Sequence, residues 1–401
     1  MRVPHLRLPH RRSAAEDLLR SNRFEDAELA FVEEAEAHPN KARPLVHQGH
    51  LALMRNDLDL AQERLSAAVA RRPRFREAHQ LEAEVSYRRG DFAKAAESQD
   101  AAGNRAVAAK LRSFAGRQPY EIEAPETVRV PFTQTDPLPI LRGRINGGEE
   151  FEFLLDTGGA ELILDTTYGK QAGIPRFGGE RSVFGGGKTA TVGHGAAGSL
   201  TMGEATIRNL PIQMLDLQPI GASLGRPNLI GIVGTCVLYR FLATIDYPGE
   251  SLILRRKGTE TAVSAEGVDV PFQMADDHFM LAEGTFNRGP PLLFFVDSGL
   301  GGGAFTCPAS TLKAAGIERG STEVVEGEGG GGTMSAWPFD VDSLSLGEAR
   351  QEGLQGIGGP FPPQLEYAYG FRIGGLISHG FLSEYAVTFD FDQMTIRLDP
   401  R

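Results

Sequence analysis

Phe153-Leu154-Leu155-Asp156-Thr157-Gly158-Gly159 decides how the rest of the chain is read. Three apolar residues run into Asp-Thr-Gly, as in a buried strand that ends by presenting a carboxylate, a hydroxyl and a flexible turn at its tip. The pattern returns as Phe294-Phe295-Val296-Asp297-Ser298-Gly299, with Ser in place of Thr and the hydroxyl kept. One Asp-Thr-Gly after apolar residues carries little information. Two of them in matching frames carry much more.

The frames match on both sides. Val130-Pro131-Phe132 recurs 140 residues later as Val270-Pro271-Phe272, and Ile145-Asn146-Gly147-Gly148 recurs 141 later as Phe286-Asn287-Arg288-Gly289. Ala172-Gly173-Ile174 returns at 143 as Ala315-Gly316-Ile317. Gly231-Ile232-Val233-Gly234 and Ala243-Thr244-Ile245-Asp246-Tyr247 return at 144 as Gly375-Leu376-Ile377-Ser378 and Val387-Thr388-Phe389-Asp390-Phe391. The order is constant, and the slow drift is what loop insertions produce. Residues 126–256 and 266–401 therefore read as two copies of one unit.

Each copy resembles a lobe of the retropepsin-like (clan AA) aspartic proteases. The resemblance rests on the apolar strand into Asp-Thr/Ser-Gly, a glycine-rich flap, an apolar-apolar-Gly segment and a closing pair of strands, and spans about two thirds of the chain. It implies a C-terminal all-β, bilobal acid-protease fold with Asp156 and Asp297 as the catalytic pair, one from each lobe. Thr157 and Ser298 would hydrogen-bond across the lobes, with Gly158 and Gly299 forming the turns. Both copies carry a candidate flap: Phe184, Gly185, Gly186 and Gly187 before Lys188, and the run from Gly327 through Gly329, Gly330 and Gly331 to Gly332. Two flaps resemble a duplicated, single-chain form of the retroviral enzymes, since pepsin-like enzymes keep one. The sequence departs from the family at Gly159 and Leu300, where a small residue is usual, and at Ser378, where copy one has Gly234.

The chemistry suits the residues. Two carboxyls that share one proton can take a proton from water and support a carbonyl oxygen at the same time, without metal or cofactor, because like charges about 3 Å apart cannot both ionise. The reading is an aspartic endopeptidase acting on a peptide or protein. Two alternatives stand beside it: an enzyme using the same fold for acid–base chemistry on a small molecule, and a peptide-binding scaffold with a decayed pair. Leu300, Ser378 and the absence of a visible secretion signal motivate the first of them.

Residues 13–116 differ in kind, being rich in Ala, Leu, Glu and Arg and helical in period. Phe24, Leu58 and Phe92 recur every 34 residues, as do Ala27, Ala61 and Ala95, and Pro39 and Pro73 share the spacing. Period, small residues and terminal proline resemble tetratricopeptide repeats, an all-α array of helical hairpins. Residues 105–116 would form the capping helix. The array either packs on, stabilises or partly covers the catalytic region, or holds a peptide or protein partner in a groove. Residues 117–125, with two prolines, read as a linker.

Elsewhere the signals are β with short helices: strands at Leu252-Ile253-Leu254 and Met394 to Leu398, and helical patterns ending on Gly173 and Gly316. Asp246 and Asp390 precede turns and read as turn caps. Trp337 and the Tyr367–Phe371 stretch are candidates for the cleft or the core.

A net charge of −11 argues against a broad nucleic-acid or anionic-membrane surface. Two cysteines, Cys236 and Cys307, one per copy, could pair but read as reduced thiols. Met1 to Arg12 is basic and lacks an apolar core, so a cytoplasmic location is expected; a misassigned start would hide a signal sequence. Gly185-Gly186-Gly187-Lys188-Thr189 lacks the first glycine of a phosphate loop, where Ser182 stands. His194, His278 and His379 have no zinc-site spacing and read as surface or internally satisfied histidines. No Gly-x-Ser-x-Gly elbow supports a serine hydrolase.

Overall fold

The computed structural model describes residues 12–259 and 264–400. The segment read as lacking a signal sequence lies almost wholly outside them. An N-terminal helical region is followed by a C-terminal β-rich region. Among the described residues no helix is long and apolar enough to cross a membrane.

Among the described residues seven helices come first: α1 (Ala14–Arg20), α2 (Phe24–Ala37), α3 (Arg43–Met54), α4 (Leu58–Arg71), α5 (Arg76–Arg88), α6 (Phe92–Ala101) and α7 (Arg105–Arg112). Each packs on the next in sequence. The 34-residue spacing has a local cause. Phe24, Leu58 and Phe92 are the first residues of α2, α4 and α6, and one turn on Ala27, Ala61 and Ala95 are fully buried where helices approach closely. Asp57 and Asp91 cap α4 and α6, accepting from the amides of Leu60 (3.1 Å) and Lys94 (3.0 Å). Pro39 and Pro73 follow the ends of α2 and α4, where an unbonded amide is no loss.

In the β-rich region the two frames take the same local structure. The hairpin Ile140–Ile145 with Glu150–Leu155 corresponds to Phe279–Phe286 with Leu292–Val296. Asn146 and Asn287 both adopt φ of 53° in the turn regions, a conformation Asn tolerates. Short helices Thr166–Gln171 and Ala309–Ala314 are followed by Gly173 and Gly316 at positive φ. Asp246 and Asp390 cap turns, accepting from the amides of Gly249, and of Asp392 and Gln393. The two halves join edge to edge: Leu242–Asp246 pairs antiparallel with Tyr385–Asp390, Thr244 and Thr388 touching through their hydroxyls at 2.7 Å. Further pairing extends this sheet to Thr127–Gln134 on one side and Val268–Ala275 on the other.

The helical region shares its core with the β-rich region. Leu19, Phe31, Leu51 and Met54 belong to one buried cluster with Phe279, Phe295 and Phe371, and Phe92, Val107 and Leu111 belong to another with Ile207 and Ile212. Polar contacts fix the orientation. Asn22 exchanges two hydrogen bonds with the Arg372 backbone (2.8 and 2.9 Å), and Asn56 donates to Phe391 O at 3.0 Å. Cys236 and Cys307 are both buried free thiols.

Candidate active site

Asp156 and Asp297 each follow a strand whose direction is fixed by a parallel neighbour: Glu150–Leu155 lies beside Leu229–Val233, and Leu292–Val296 beside Gly375–Ile377. The pairing runs one residue further. The Asp156 amide donates to Val233 O at 3.1 Å, and the Asp297 amide to Ile377 O at 2.9 Å. The chain then turns, and each carboxylate accepts from the amide two residues on. Gly158 N–H donates to Asp156 Oδ1 at 2.7 Å, and Gly299 N–H to Asp297 Oδ1 at 2.8 Å.

Thr157 and Ser298, both fully buried, lock the two turns together. Thr157 Oγ1 accepts from the Ser298 amide (2.9 Å) and donates to Val296 O (3.0 Å). Ser298 Oγ accepts from the Thr157 amide (3.0 Å) and donates to Leu155 O (3.1 Å). Each hydroxyl thus donates to the opposite strand and accepts from the opposite turn.

Close approach demands glycine at both turns. A Cβ on Gly158 would lie 2.7 Å from the Asp297 carboxylate oxygens, and one on Gly299 only 2.1 Å from Asp156 Cγ. Each carboxyl thus lies against the glycine turn of the other. Burial pushes both above the ordinary carboxylate range. At Asp297 the charge of Asp156 adds to the rise; at Asp156 the bonds from Asp297 and Gly158, and the nearby His278, oppose it. Two buried carboxyls so placed do not ionise independently.

The pair opens into a cavity of about 1650 Å³. Two hairpins cover it: Arg176–Val183 with Thr189–Met202, and Val325–Gly329 with Gly332–Leu346. Their tips meet. A Cβ on Gly330 would fall 2.5 Å from the Phe184 ring, and one on Gly331 would fall 2.6 Å from Lys188 Cβ. Of the flap residues expected from sequence, Phe184, Gly185, Gly329 and Gly330 line the cavity. Gly186, Gly187 and Gly331 instead pack against Met334, Gln364 and Lys188.

The third wall is helical. Glu84 and Tyr87 of α5 and Lys110 of α7 face the same cavity as the two aspartates. Lys110 Nζ lies 2.5 Å from Glu161 Oε2, and Tyr87 OH donates to Glu161 Oε1 at 2.9 Å. Glu84 pairs with Arg88, yet burial outweighs that partner and pushes its carboxyl up to about 8. Neither pair leaves a periodic trace, because their members lie on different elements or within a helix face that looks solvated.

His194, His278 and His379 are all buried, which selects the internal alternative over the surface one. Each lies beside a carboxylate, of Glu180, Asp277 and Asp136 respectively, and the first two line the cavity. Among the described residues no group of three or more His, Cys, Asp and Glu could hold a metal ion. Trp337 is absent from the cavity wall and packs on Phe339, whereas Tyr369 and Leu300 line it and Phe371 is core. Ser378 accommodates its Cβ and donates from Oγ to Gly303 O at 2.7 Å, while at Gly234 a Cβ would lie 2.4 Å from Glu161 O.

Residues 141–234 match the family model described as Aspartyl protease, so the chain carries an aspartyl protease-like domain. The match covers the strand before Asp156, its turn, the first hairpin tip and Val233-Gly234. No curated protein matches the chain.

Proposed function

We propose that this protein is an aspartic endopeptidase in which Asp156 and Asp297, one from each copy of a duplicated retropepsin-like unit, activate a water held between them. The reciprocal bonds of Thr157 and Ser298 carry the reading: they join the two turns that hold these sequence-distant carboxyls. The ionised carboxylate takes a proton from water, which attacks the scissile carbonyl. The protonated carboxyl donates to the carbonyl oxygen, and a proton then passes to the departing amine. The glycine hairpins cover the substrate and exclude bulk water.

A cavity of about 1650 Å³ is larger than a typical small-molecule site of roughly 300–1,000 Å³, which supports an extended peptide over the small-molecule alternative. The tetratricopeptide-like array then serves as a wall of the cleft. The test is digestion of a complex peptide library across acid to neutral pH, beside Asp156→Asn and Asp297→Asn. Products that vanish in both variants, with circular dichroism unchanged, are expected. Full activity in either variant, or no products from the parent protein at any pH, refutes the proposal.

A further inference from the structure

Helix α5 runs along the cleft. Arg76, Gln80, Glu84 and Tyr87 all line the cavity, and their spacing puts them on one face of the helix over three turns. At a rise of about 1.5 Å per residue, the stretch from Arg76 to Tyr87 measures roughly 16 Å. Its C-terminal end lies toward the carboxyl pair. There Tyr87 bonds Glu161, just after the Asp156 turn, and Arg88 donates to Asp276 O at 2.9 Å.

The other end is basic. Arg72 and Arg74 lie in the turn before α5, Arg76 is its first residue, and Arg105 is the first residue of α7; all four are exposed and line the cavity. Beside them α7 packs on the first hairpin, where a Cβ on Gly178 would lie 3.0 Å from Ala106 Cβ, and Arg181 of that hairpin lines the cavity too. Three of these cations are engaged. Arg76 Nε donates to Ala102 O at 2.9 Å, Arg72 lies 4.8 Å from the Phe75 ring centre, and Arg181 donates to Thr189 Oγ1 at 2.7 Å. Among the described residues Arg74 and Arg105 have no carboxylate within ion-pair distance. The carboxylates on this part of the wall are Glu77 and Glu180.

Stability does not account for the placement. A cation in the first turn faces the positive end of the helix dipole, whereas α4 and α6 start on the capping residues Asp57 and Asp91, as that dipole favours. Helix α3 also starts on an arginine, Arg43, but Glu16 lies 3.5 Å away. A local rule broken along the wall of a cleft, with no compensating partner, points to a ligand.

We propose that this end of the cleft is a subsite for carboxylate side chains, with Arg74 and Arg105 as its uncommitted cations. An extended chain advances about 3.3 Å per residue, so about five residues cover the distance along α5. The substrate is then a peptide with Asp or Glu about five residues from the scissile bond. The same acidic residue is disfavoured beside Asp276 and Asp277 at the other end, which helps set the register. The inference rests on the peptidase reading and names its substrate class.

The test has two arms, both on the full chain. In the first, fluorescence anisotropy measures binding of a labelled peptide with four consecutive glutamates, and of its glutamine counterpart, to Asp156→Asn. The glutamate peptide is expected to bind on the order of tenfold tighter at low salt, less so as salt rises, since each exposed pair contributes about 1.5- to 5-fold. Adding Arg74→Gln and Arg105→Gln should remove the difference, and Arg74→Lys with Arg105→Lys should keep most of it. Equal binding of the two peptides, a difference that survives the Gln pair, or one lost equally with the Lys pair overturns the subsite. In the second arm, products of a peptide library are expected to show Asp or Glu enriched about five residues to one side of the cut, and the Gln pair should erase this. Cleavage without that enrichment overturns the inference and leaves the peptidase reading standing. Arginine-dependent binding with no cleavage at any pH supports the subsite and refutes the peptidase.

Discussion

Replacing Thr157 by Val keeps the shape of the side chain and removes its hydroxyl. The site is fully buried, so water cannot replace the lost partners. The Ser298 amide loses its acceptor at 2.9 Å, and Val296 O loses its donor at 3.0 Å. A buried polar group left unpaired costs about 1–3 kcal/mol, so the two together should destabilise the fold by about 2–6 kcal/mol. The Ser298 hydroxyl keeps its own two bonds, so the two halves remain tethered on one side. Turnover should suffer more than binding, because a displacement of about 1 Å in a reacting group lowers rate about 100-fold. Stability is read by chemical denaturation, with the single tryptophan, Trp337, as the fluorescent reporter in the second half. Thr157→Ser keeps both bonds and should stay within about 1 kcal/mol of the parent, the loss of one methyl. If Thr157→Val instead unfolds within about 0.5 kcal/mol of the parent and cleaves peptides at full rate, the reciprocal lock is not what aligns the pair.

Three further outcomes are expected. Gly299→Ala places a Cβ 2.1 Å from Asp156 Cγ and should abolish turnover while far-ultraviolet circular dichroism is retained. Glu84 is raised from 4.5 to about 8 by burial, so its contribution to stability is full below about pH 4.5 and is lost as pH rises through 8; Glu84→Gln should flatten the decline in unfolding midpoint across that window. Lys110→Met leaves Glu161 buried without its cation and should cost about 3–5 kcal/mol, whereas adding Glu161→Leu should recover much of it in a double-mutant cycle.

What the sequence revealed and what it hid follow from range. Asp156 and Asp297 were legible because each ends an apolar strand and because the frames repeat, so that one copy checks the other. The helices were legible because Ala27, Ala61 and Ala95 must be small at every close approach. Lys110 beside Glu161, and Arg88 beside Asp276, were not legible. Each joins elements far apart in the chain, and a lone Arg or Lys on an Ala- and Glu-rich helix looks like solvated surface.

The shared core has a consequence for inheritance. Phe371 and Phe279 lie under α1 and α2, with Phe24 edge-on to Phe371 at 5.3 Å, and Leu19 and Phe31 complete the same cluster. A descendant that lost the helices would expose these rings to water and turn a soluble surface into an adhesive one. The helices and the β-rich region must therefore travel together through gene fusion and loss. A relative that lacks the helices should show polar residues at the positions of Phe279 and Phe371, and one that keeps both aromatics should keep the helices.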